Sequence, residues 1–207
     1  MTQKPTAARA RSRTPLVLIV LLSLAPVLAA VVAYFNPEWR PEGSVAYGTL
    51  IEPQRPIPSS AALQAVTLDG KPFDVATLQG KWLLVAADGG DCQDACARKL
   101  FVLRNSHASQ GKNVERLARV WFVTDEAPVP ERVLEAYKGT VILRVKPEQL
   151  KPFLLKDSVA TDAAQALSEP MWIIDPHGNL ILQYPVNAEP EKVRKDISKL
   201  VYNSRIG

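Results

Sequence analysis

The 207 residues contain 25 Lys and Arg against 21 Asp and Glu, and four basic residues near the N-terminus, Lys4, Arg9, Arg11 and Arg13, account for the whole excess. The rest of the chain is electrically balanced, so the net charge of +4 does not describe a basic surface. This distribution argues against a nucleic-acid partner and for a topology signal beside a membrane.

An uncharged apolar run over residues 16–35 predicts a single transmembrane helix. A run of that length suffices to cross a hydrocarbon core of ~30 Å. The basic residues that precede it keep residues 1–15 in the cytoplasm and export the rest of the chain, by the positive-inside rule. The alternative is a cleaved signal peptide, which usually has a shorter apolar core and ends in small residues. The aromatic edge Tyr34-Phe35 favours an uncleaved anchor.

A proline-rich segment follows the apolar run. Prolines at positions 37, 41, 53, 56 and 58 favour an extended, semi-rigid tether over residues 36–58. Within it, residues 47–51 are interpreted either as a short strand or as a segment that rests on the domain. Residues 59–207 are long enough to form one domain with its own core.

The remaining segments alternate between strand and helix patterns. A hairpin is predicted over residues 63–75, around Asp69-Gly70, and a buried strand over the apolar run 81–87. Further elements follow in this order: a helix over 92–110, a strand over 119–124, a helix over 131–137, a strand over 141–145, a helix over 148–155, strands over 171–174 and 180–184, and a helix over 190–201. This order predicts an α/β, thioredoxin-like fold with an N-terminal β-hairpin extension.

The motif Cys92-x-x-x-Cys96 carries the predicted chemistry. It follows a predicted buried strand and opens a helix, where residues four apart share a face at roughly 6 Å, within disulfide range. The helix N-terminus stabilises a thiolate, whereas Asp91 and Asp94 disfavour a second negative charge, so a strongly oxidising thiol is not expected. Two alternatives remain: the cysteines are small buried apolar residues, or they form a structural disulfide without redox function.

Three sequence features together resemble the Sco/SenC family of membrane-anchored thioredoxin-like proteins. They are the run Gly80-Lys81-Trp82 with the apolar residues after it, the Cys-x-x-x-Cys motif, and residues 172–178, which read Trp-Ile-Ile-Asp-Pro-His-Gly. The resemblance covers residues 60–203. It implies a role in the assembly of cytochrome c oxidase, where two cysteines and a distant histidine bind copper. The implied partner is a respiratory oxidase subunit or an assembly protein.

The histidine of that pattern is missing from its expected place, where residues 167–170 read Leu-Ser-Glu-Pro. His107 lies 11 residues beyond the second cysteine on the same predicted helix. That spacing corresponds to about 16 Å. His177 lies about 23 Å along an extended strand from the end of that segment. Neither histidine is expected to share a metal with the cysteines.

Copper binding would then rest on sulfur. Cu(I) accepts soft ligands, so Cys92 and Cys96 would suffice as two ligands, with Met171 as a third. The alternative for Met171 is ordinary core packing.

Pro170 immediately precedes the first strand of the terminal hairpin. In this position it resembles the cis-proline that packs against the cysteine pair of thioredoxin-like proteins. A cis X-Pro bond usually has a structural reason. The resemblance places Pro170 in the site and favours a thiol–disulfide centre over a Sco-type copper site. The alternative is a trans proline that begins an edge strand.

These features predict a membrane-anchored assembly factor for a respiratory metalloprotein, with its domain on the periplasmic side of the bacterial inner membrane. As a thiol–disulfide oxidoreductase, it would attack a partner disulfide with Cys92 and resolve the mixed disulfide with Cys96, beside Pro170. As a copper carrier, it would hold Cu(I) between the same cysteines. The third interpretation is a non-catalytic scaffold in which the pair is a structural disulfide.

Overall fold

The computed structural model describes residues 13–36, 46–155 and 161–207. The chain divides into two compact units, Met1–Gly43 and Ser44–Gly207. Most of the predicted basic tail, with Lys4, Arg9 and Arg11, and residues 37–45 of the predicted tether lie outside the described residues.

The first unit contains helix α1, Thr14–Phe35. At 1.5 Å per residue it is about 33 Å long, slightly more than a ~30 Å hydrocarbon core. It begins two residues before the predicted apolar run, because Pro15 is well tolerated in a first helical turn. Among the described helices it alone is long and apolar enough to span a membrane, with a mean hydropathy of 3.0. The predicted apolar helix is confirmed in length and composition.

The second unit is built around one mixed sheet, which has eight strands among the residues described. In chain order they are β1 Thr49–Pro56, β2 Ala65–Thr67, β3 Pro72–Phe73, β4 Trp82–Asp88, β5 Leu117–Val123, β6 Val141–Arg144, β7 Met171–Ile174 and β8 Asn179–Tyr184. Their order across the sheet is β1-β8-β7-β4-β5-β6-β2-β3. The central strands β4, β5 and β6 are parallel, and the flanking strands pair antiparallel.

Helices cover both faces of the sheet. They are α2 Asp94–Ala108, α3 Glu131–Ala136, α4 Pro147–Leu154, α5 Ala163–Ser168 and α6 Pro190–Asn203. Apolar residues of α2, α3 and α6 form one core cluster with the sheet, and those of α4 and α5 form a second cluster on the opposite face. Strand β4 is buried from Trp82 to Ala87, because both of its faces meet helices. This arrangement explains the continuously apolar run in its sequence.

The two edges of the sheet come from the N-terminal part of the domain. The predicted hairpin is present as β2 and β3, which extend the sheet beyond β6. At the other edge, β1 pairs antiparallel with β8. Residues 49–56 therefore belong to the sheet and not to a tether that continues to residue 58. Pro53 and Pro56 are compatible with a strand here because an edge strand has one side without ladder hydrogen bonds.

Candidate functional site

The cysteine motif lies where β4 ends and α2 begins. A short loop, Gly89 to Asp91, connects Asp88 to the first cysteine. The Gly90 N–H donates to the Asp125 carboxylate at 2.8 Å. A Cβ on Gly90 would lie 2.2 Å from the Ala127 carbonyl oxygen. Only glycine therefore allows the loop to pack this closely against the segment after β5.

Cys92 and Cys96 form a disulfide, with a sulfur–sulfur distance of 2.00 Å and Cα atoms 5.0 Å apart. The helix begins at Asp94, two residues later than predicted, since Cys92 has a left-handed backbone with φ of 44° and Gln93 is extended. The backbone at Cys92 turns the chain back toward the helix, which brings the two Cα atoms closer than the spacing expected inside a regular helix. Cys96 lies in the first turn of α2, as expected from the motif.

The disulfide is buried. Cys92 is 6% exposed and Cys96 is 2% exposed, and both belong to the apolar cluster on the α2 face of the sheet. The idea that both are buried apolar residues thus describes their surroundings correctly, although they are bonded to each other. Cys92 is the slightly more exposed residue of the pair, and its role as the attacking group stays a prediction.

Pro170 is buried and directly precedes β7. Met171, the next residue, pairs in register with Ala86, so Pro170 lies at the level where β4 gives way to the cysteine loop. Among the described peptide bonds only Glu52–Pro53 is cis, so the Glu169–Pro170 bond is trans. The cis interpretation of Pro170 is therefore wrong. Glu169 has a helical backbone because α5 ends immediately before it.

A buried lysine completes the polar part of this region. The Lys99 ammonium forms an ion pair with Asp88 at 2.7 Å and donates to the carbonyl oxygens of Ala87, at 2.8 Å, and Ser168. Burial lowers the pKa of Lys99, and the negative charge of Asp88 opposes that shift. The sequence reasoning missed this residue, because a lysine on a helix reads as a solvated side chain. Its position three residues after Cys96 on the buried stripe was the one available signal.

Both histidines lie away from the cysteine pair. His107 is in the last turn of α2, and His177 is exposed in the turn between β7 and β8. That turn meets the start of β4, since the Gly80 N–H donates to the Pro176 carbonyl oxygen at 2.8 Å. The cysteines follow the other end of β4. The predicted separation between the histidines and the cysteines thus agrees with the structure.

A groove of about 820 Å³ opens beside the first turns of α2. Its walls are α2, the residues around the start of β7, and the segment between β8 and α6. Phe101 and Val186 border it with exposed side chains, and Met171 lines it. Asp94 and Ala95, which lie between the two cysteines in sequence, line the groove.

Residues 82–204 match the family model described as transmembrane-like, thioredoxin-like, C-terminal domain. The chain belongs to this family. The matched residues begin with β4 and include the disulfide, Lys99, Pro170 and the groove. The predicted thioredoxin-like fold is confirmed, and the β2–β3 hairpin is its N-terminal extension. A comparison with curated protein sequences gave no significant match.

Solved structures share the fold of this family member at low sequence identity. A thiol:disulfide interchange protein of the thioredoxin family from Chlorobium tepidum TLS is 20% identical, with a TM-score of 0.53 over 73% of this chain and 98% of that one. Copper-bound ScoI from Arabidopsis thaliana is 18% identical, with a TM-score of 0.51 over 77% and 100%. A SCO1/SenC family lipoprotein from Bacillus anthracis is 16% identical, with a TM-score of 0.52 over 72% and 98%. At these identities the likeness establishes the fold alone.

The donor atoms of this family member do not complete a site of two cysteines and one histidine. Among the described residues no group of three His, Cys, Asp or Glu side chains is placed to hold a metal ion. The two sulfurs are bonded to each other and carry no thiolate. Met171, which has a soft thioether, pairs in register with Ala86 near the end of β4. It belongs to the same apolar cluster as both cysteines.

Proposed function

We propose that this protein is a membrane-anchored thiol–disulfide oxidoreductase that serves the assembly of a respiratory metalloprotein, with cytochrome c oxidase as the expected target. The observation that carries the proposal is the Cys92–Cys96 disulfide at the junction of β4 and α2. The buried ion pair of Lys99 and Asp88, whose lysine lies one helical turn after Cys96, and the groove lined by Asp94 and Ala95 support it. A purely structural bond needs neither feature, and a loop of five residues constrains the unfolded chain little.

The proposed reaction transfers two electrons from the reduced cysteine pair to a partner disulfide. The Cys92 thiolate attacks one partner sulfur, a mixed disulfide forms, and the partner's other sulfur leaves as a thiolate that takes up a proton. Cys96, deprotonated, then attacks the Cys92 sulfur and releases the second partner thiol. The partner gains two electrons and two protons, and the domain ends in the disulfide form. An external dithiol returns the domain to its reduced form by the reverse steps.

The proposed location is the bacterial inner membrane, with the N-terminus in the cytoplasm and the domain in the periplasm. The basic residues before α1 support this orientation, and a disulfide fits an oxidising compartment. A reporter fused after Gly207 is expected to be active only outside the cytoplasm. Mass spectrometry that finds residues 1–33 removed would contradict the anchor.

The central test uses the full-length protein in detergent, equilibrated with a small dithiol and its disulfide. The wild-type pair is expected to exchange at a potential between roughly −120 and −270 mV, the range of known exchange proteins. The Cys92→Ala/Cys96→Ala variant should fail to support oxidase assembly in cells. If that variant supports assembly fully and the wild-type pair does not exchange, the protein acts as a non-catalytic scaffold.

Cu(I) handling is a second candidate, and the position of Met171 favours it. With copper as cargo, the reduced cysteines and the thioether of Met171 would offer three soft sulfur ligands. Anaerobic Cu(I) titration against a competing chelator tests this candidate. Met171→Leu, which nearly conserves volume, is expected to weaken binding by about tenfold, whereas Cys96→Ser should abolish it. His107→Ala and His177→Ala should leave it unchanged, and loss of binding in either variant would contradict the sulfur-only site.

A further inference from the structure

The Lys99 ammonium joins the chain segments that carry the candidate site. Two of its acceptors, the Ala87 carbonyl oxygen and the Asp88 carboxylate, belong to the end of β4, just before the cysteine loop. The third is the carbonyl oxygen of Ser168, which ends α5 two residues before Pro170. An ammonium has three N–H donors, and two of them make these hydrogen bonds, while the ion pair with Asp88 is the third contact of the charge.

Burial of the Lys99 charge is unfavourable in free energy. The Lys99 side chain is 10% exposed and that of Asp88 is 18% exposed. Removing an ammonium and a carboxylate from water costs free energy that their mutual attraction often fails to repay, and an apolar pair of similar volume is commonly as stable. Stability alone is therefore a weak reason for a lysine at this position.

Lys99 and Cys96 lie on the same buried face of α2. Lys99 lies three residues after Cys96, one helical turn along α2, and both side chains are buried. A cation in a poorly solvated region favours a nearby thiolate, and a carboxylate disfavours it. Because the disulfide has no charge, a nearby ion pair acts mainly on the reduced form.

We infer that Lys99 is a positioning residue for the cysteine pair: it holds the Ser168–Pro170 segment against α2 and favours the reduced pair, while Asp88 favours the disulfide. The inference rests on the proposed thiol–disulfide function. It assigns opposite effects on the redox equilibrium to Lys99 and Asp88, which form an ion pair with each other.

The test measures the equilibrium between dithiol and disulfide in the full-length protein in detergent, at one pH, against reduced and oxidised dithiothreitol. At a pH above about 8.5, where an ordinary thiol is ionised, Lys99→Met is expected to shift the equilibrium constant about tenfold toward the disulfide, the size of a change of one unit in thiol pKa. Asp88→Asn is expected to shift it by a similar factor toward the dithiol. Lys199→Met, the same change at an exposed position of α6, should leave it unchanged.

Shifts in the same direction for Lys99→Met and Asp88→Asn, or no shift in either, would overturn the inference. A merely structural ion pair would lower the stability of both variants without opposite effects on the redox equilibrium. If Lys99→Met does not fold, Lys99→Met/Asp88→Asn removes both charges, and its equilibrium constant is expected to be within about twofold of the wild type, since charges of opposite sign act on the thiolate in opposite directions. A tenfold shift in this double variant would also overturn the inference.

The two proposals fail in distinguishable ways. If the wild-type pair exchanges with dithiothreitol and the variants show no opposite shifts, only the role of Lys99 is refuted. If the wild-type disulfide does not exchange at all, the oxidoreductase function fails and the role of Lys99 fails with it.

Discussion

Two buried charges on the same face of the sheet are accommodated in different ways. Lys99 of α2 binds a carboxylate and two carbonyl oxygens that come from separate segments around the cysteines. Asp196 of α6 accepts the backbone N–H groups of two neighbours in sequence, Tyr47 at 2.6 Å and Gly48 at 3.1 Å. Lys99 contacts several segments around the candidate site, whereas Asp196 binds one segment, just before β1, to α6.

The groove is lined by Lys99, whereas Asp196 is not among its lining residues. Lys99 and the start of β7 border it on one side, and the segment between β8 and α6 borders it on the other. β1 and β4 are three strands apart in the sheet, so about 14 Å separates these two strands. The region around Lys99 thus contains the candidate site, and the region around Asp196 holds the start of the domain against α6.

Substitution of the cysteines is expected to have the largest effect, which is on thiol–disulfide exchange. Cys92→Ser and Cys96→Ser are each expected to abolish two-electron exchange, because each removes one sulfur of the pair. Cys96→Ser should still form a mixed disulfide with a small disulfide reagent, about tenfold faster than Cys92→Ser does, since Cys92 precedes the helix and is the slightly more exposed residue. Mass spectrometry of the adducts measures both rates. Equal rates, or a faster Cys92→Ser, would refute the assignment of Cys92 as the attacking residue.

Substitution of Asp196 should separate the two regions. Asp196→Ala leaves the part-buried N–H of Tyr47 and the buried N–H of Gly48 without their acceptor and is expected to lower the free energy of unfolding by about 3 kcal/mol. Hydrogen exchange should rise over residues 47–56. Asp196→Asn, which keeps one acceptor oxygen, should lose less. The redox equilibrium should stay the same in both variants, and a tenfold change in it would show that the regions are coupled.

Two glycines, one in each region, allow a smaller and closely matched test. A Cβ on Gly90 would meet the Ala127 carbonyl oxygen of the backbone at 2.2 Å, whereas a Cβ on Gly48 would meet the side chain of Leu182 at 2.1 Å. Gly90→Ala is expected to destabilise by about 2 kcal/mol and Gly48→Ala by about 1 kcal/mol, because a side chain moves more easily than a backbone. Urea unfolding measures both. A larger loss for Gly48→Ala would contradict this ranking.

The smallest effect is expected at His107, on the same helix as Lys99. Burial, and next the charge of Arg119, lower the pKa of His107. A lowered pKa in the folded state means that the unfolded state binds the proton more readily, so stability is lost as the pH falls below about 6.5. His107→Gln should reduce this loss by less than about 0.5 kcal/mol, because solvent screens a half-exposed group. Stability curves at pH 7.5 and 5.5, with His177→Gln as the exposed control, measure the difference.

Much of the fold was predictable because its signals are local. The apolar run of α1, the buried run of β4, and the hairpin of β2 and β3 follow from the pattern of their own residues. The position of the Cys motif between a strand and a helix followed from the same patterns. The prediction of a tether that continues to residue 58 failed because its prolines are typical of a linker, although a short strand over residues 47–51 was one of the two interpretations. Residues 49–56 by themselves do not indicate their pairing with β8.

For the site, the sequence determined the residue types and their order: two cysteines four residues apart, a proline before β7, and no histidine near that proline. The tertiary structure decided the left-handed backbone of Cys92, the trans bond before Pro170, and the burial of Lys99 against β4 and α5. Spacing along one element fixes which residues share a face. The partners of a buried charge come from elements distant in sequence, so only the folded chain brings Lys99, Asp88 and Ser168 together.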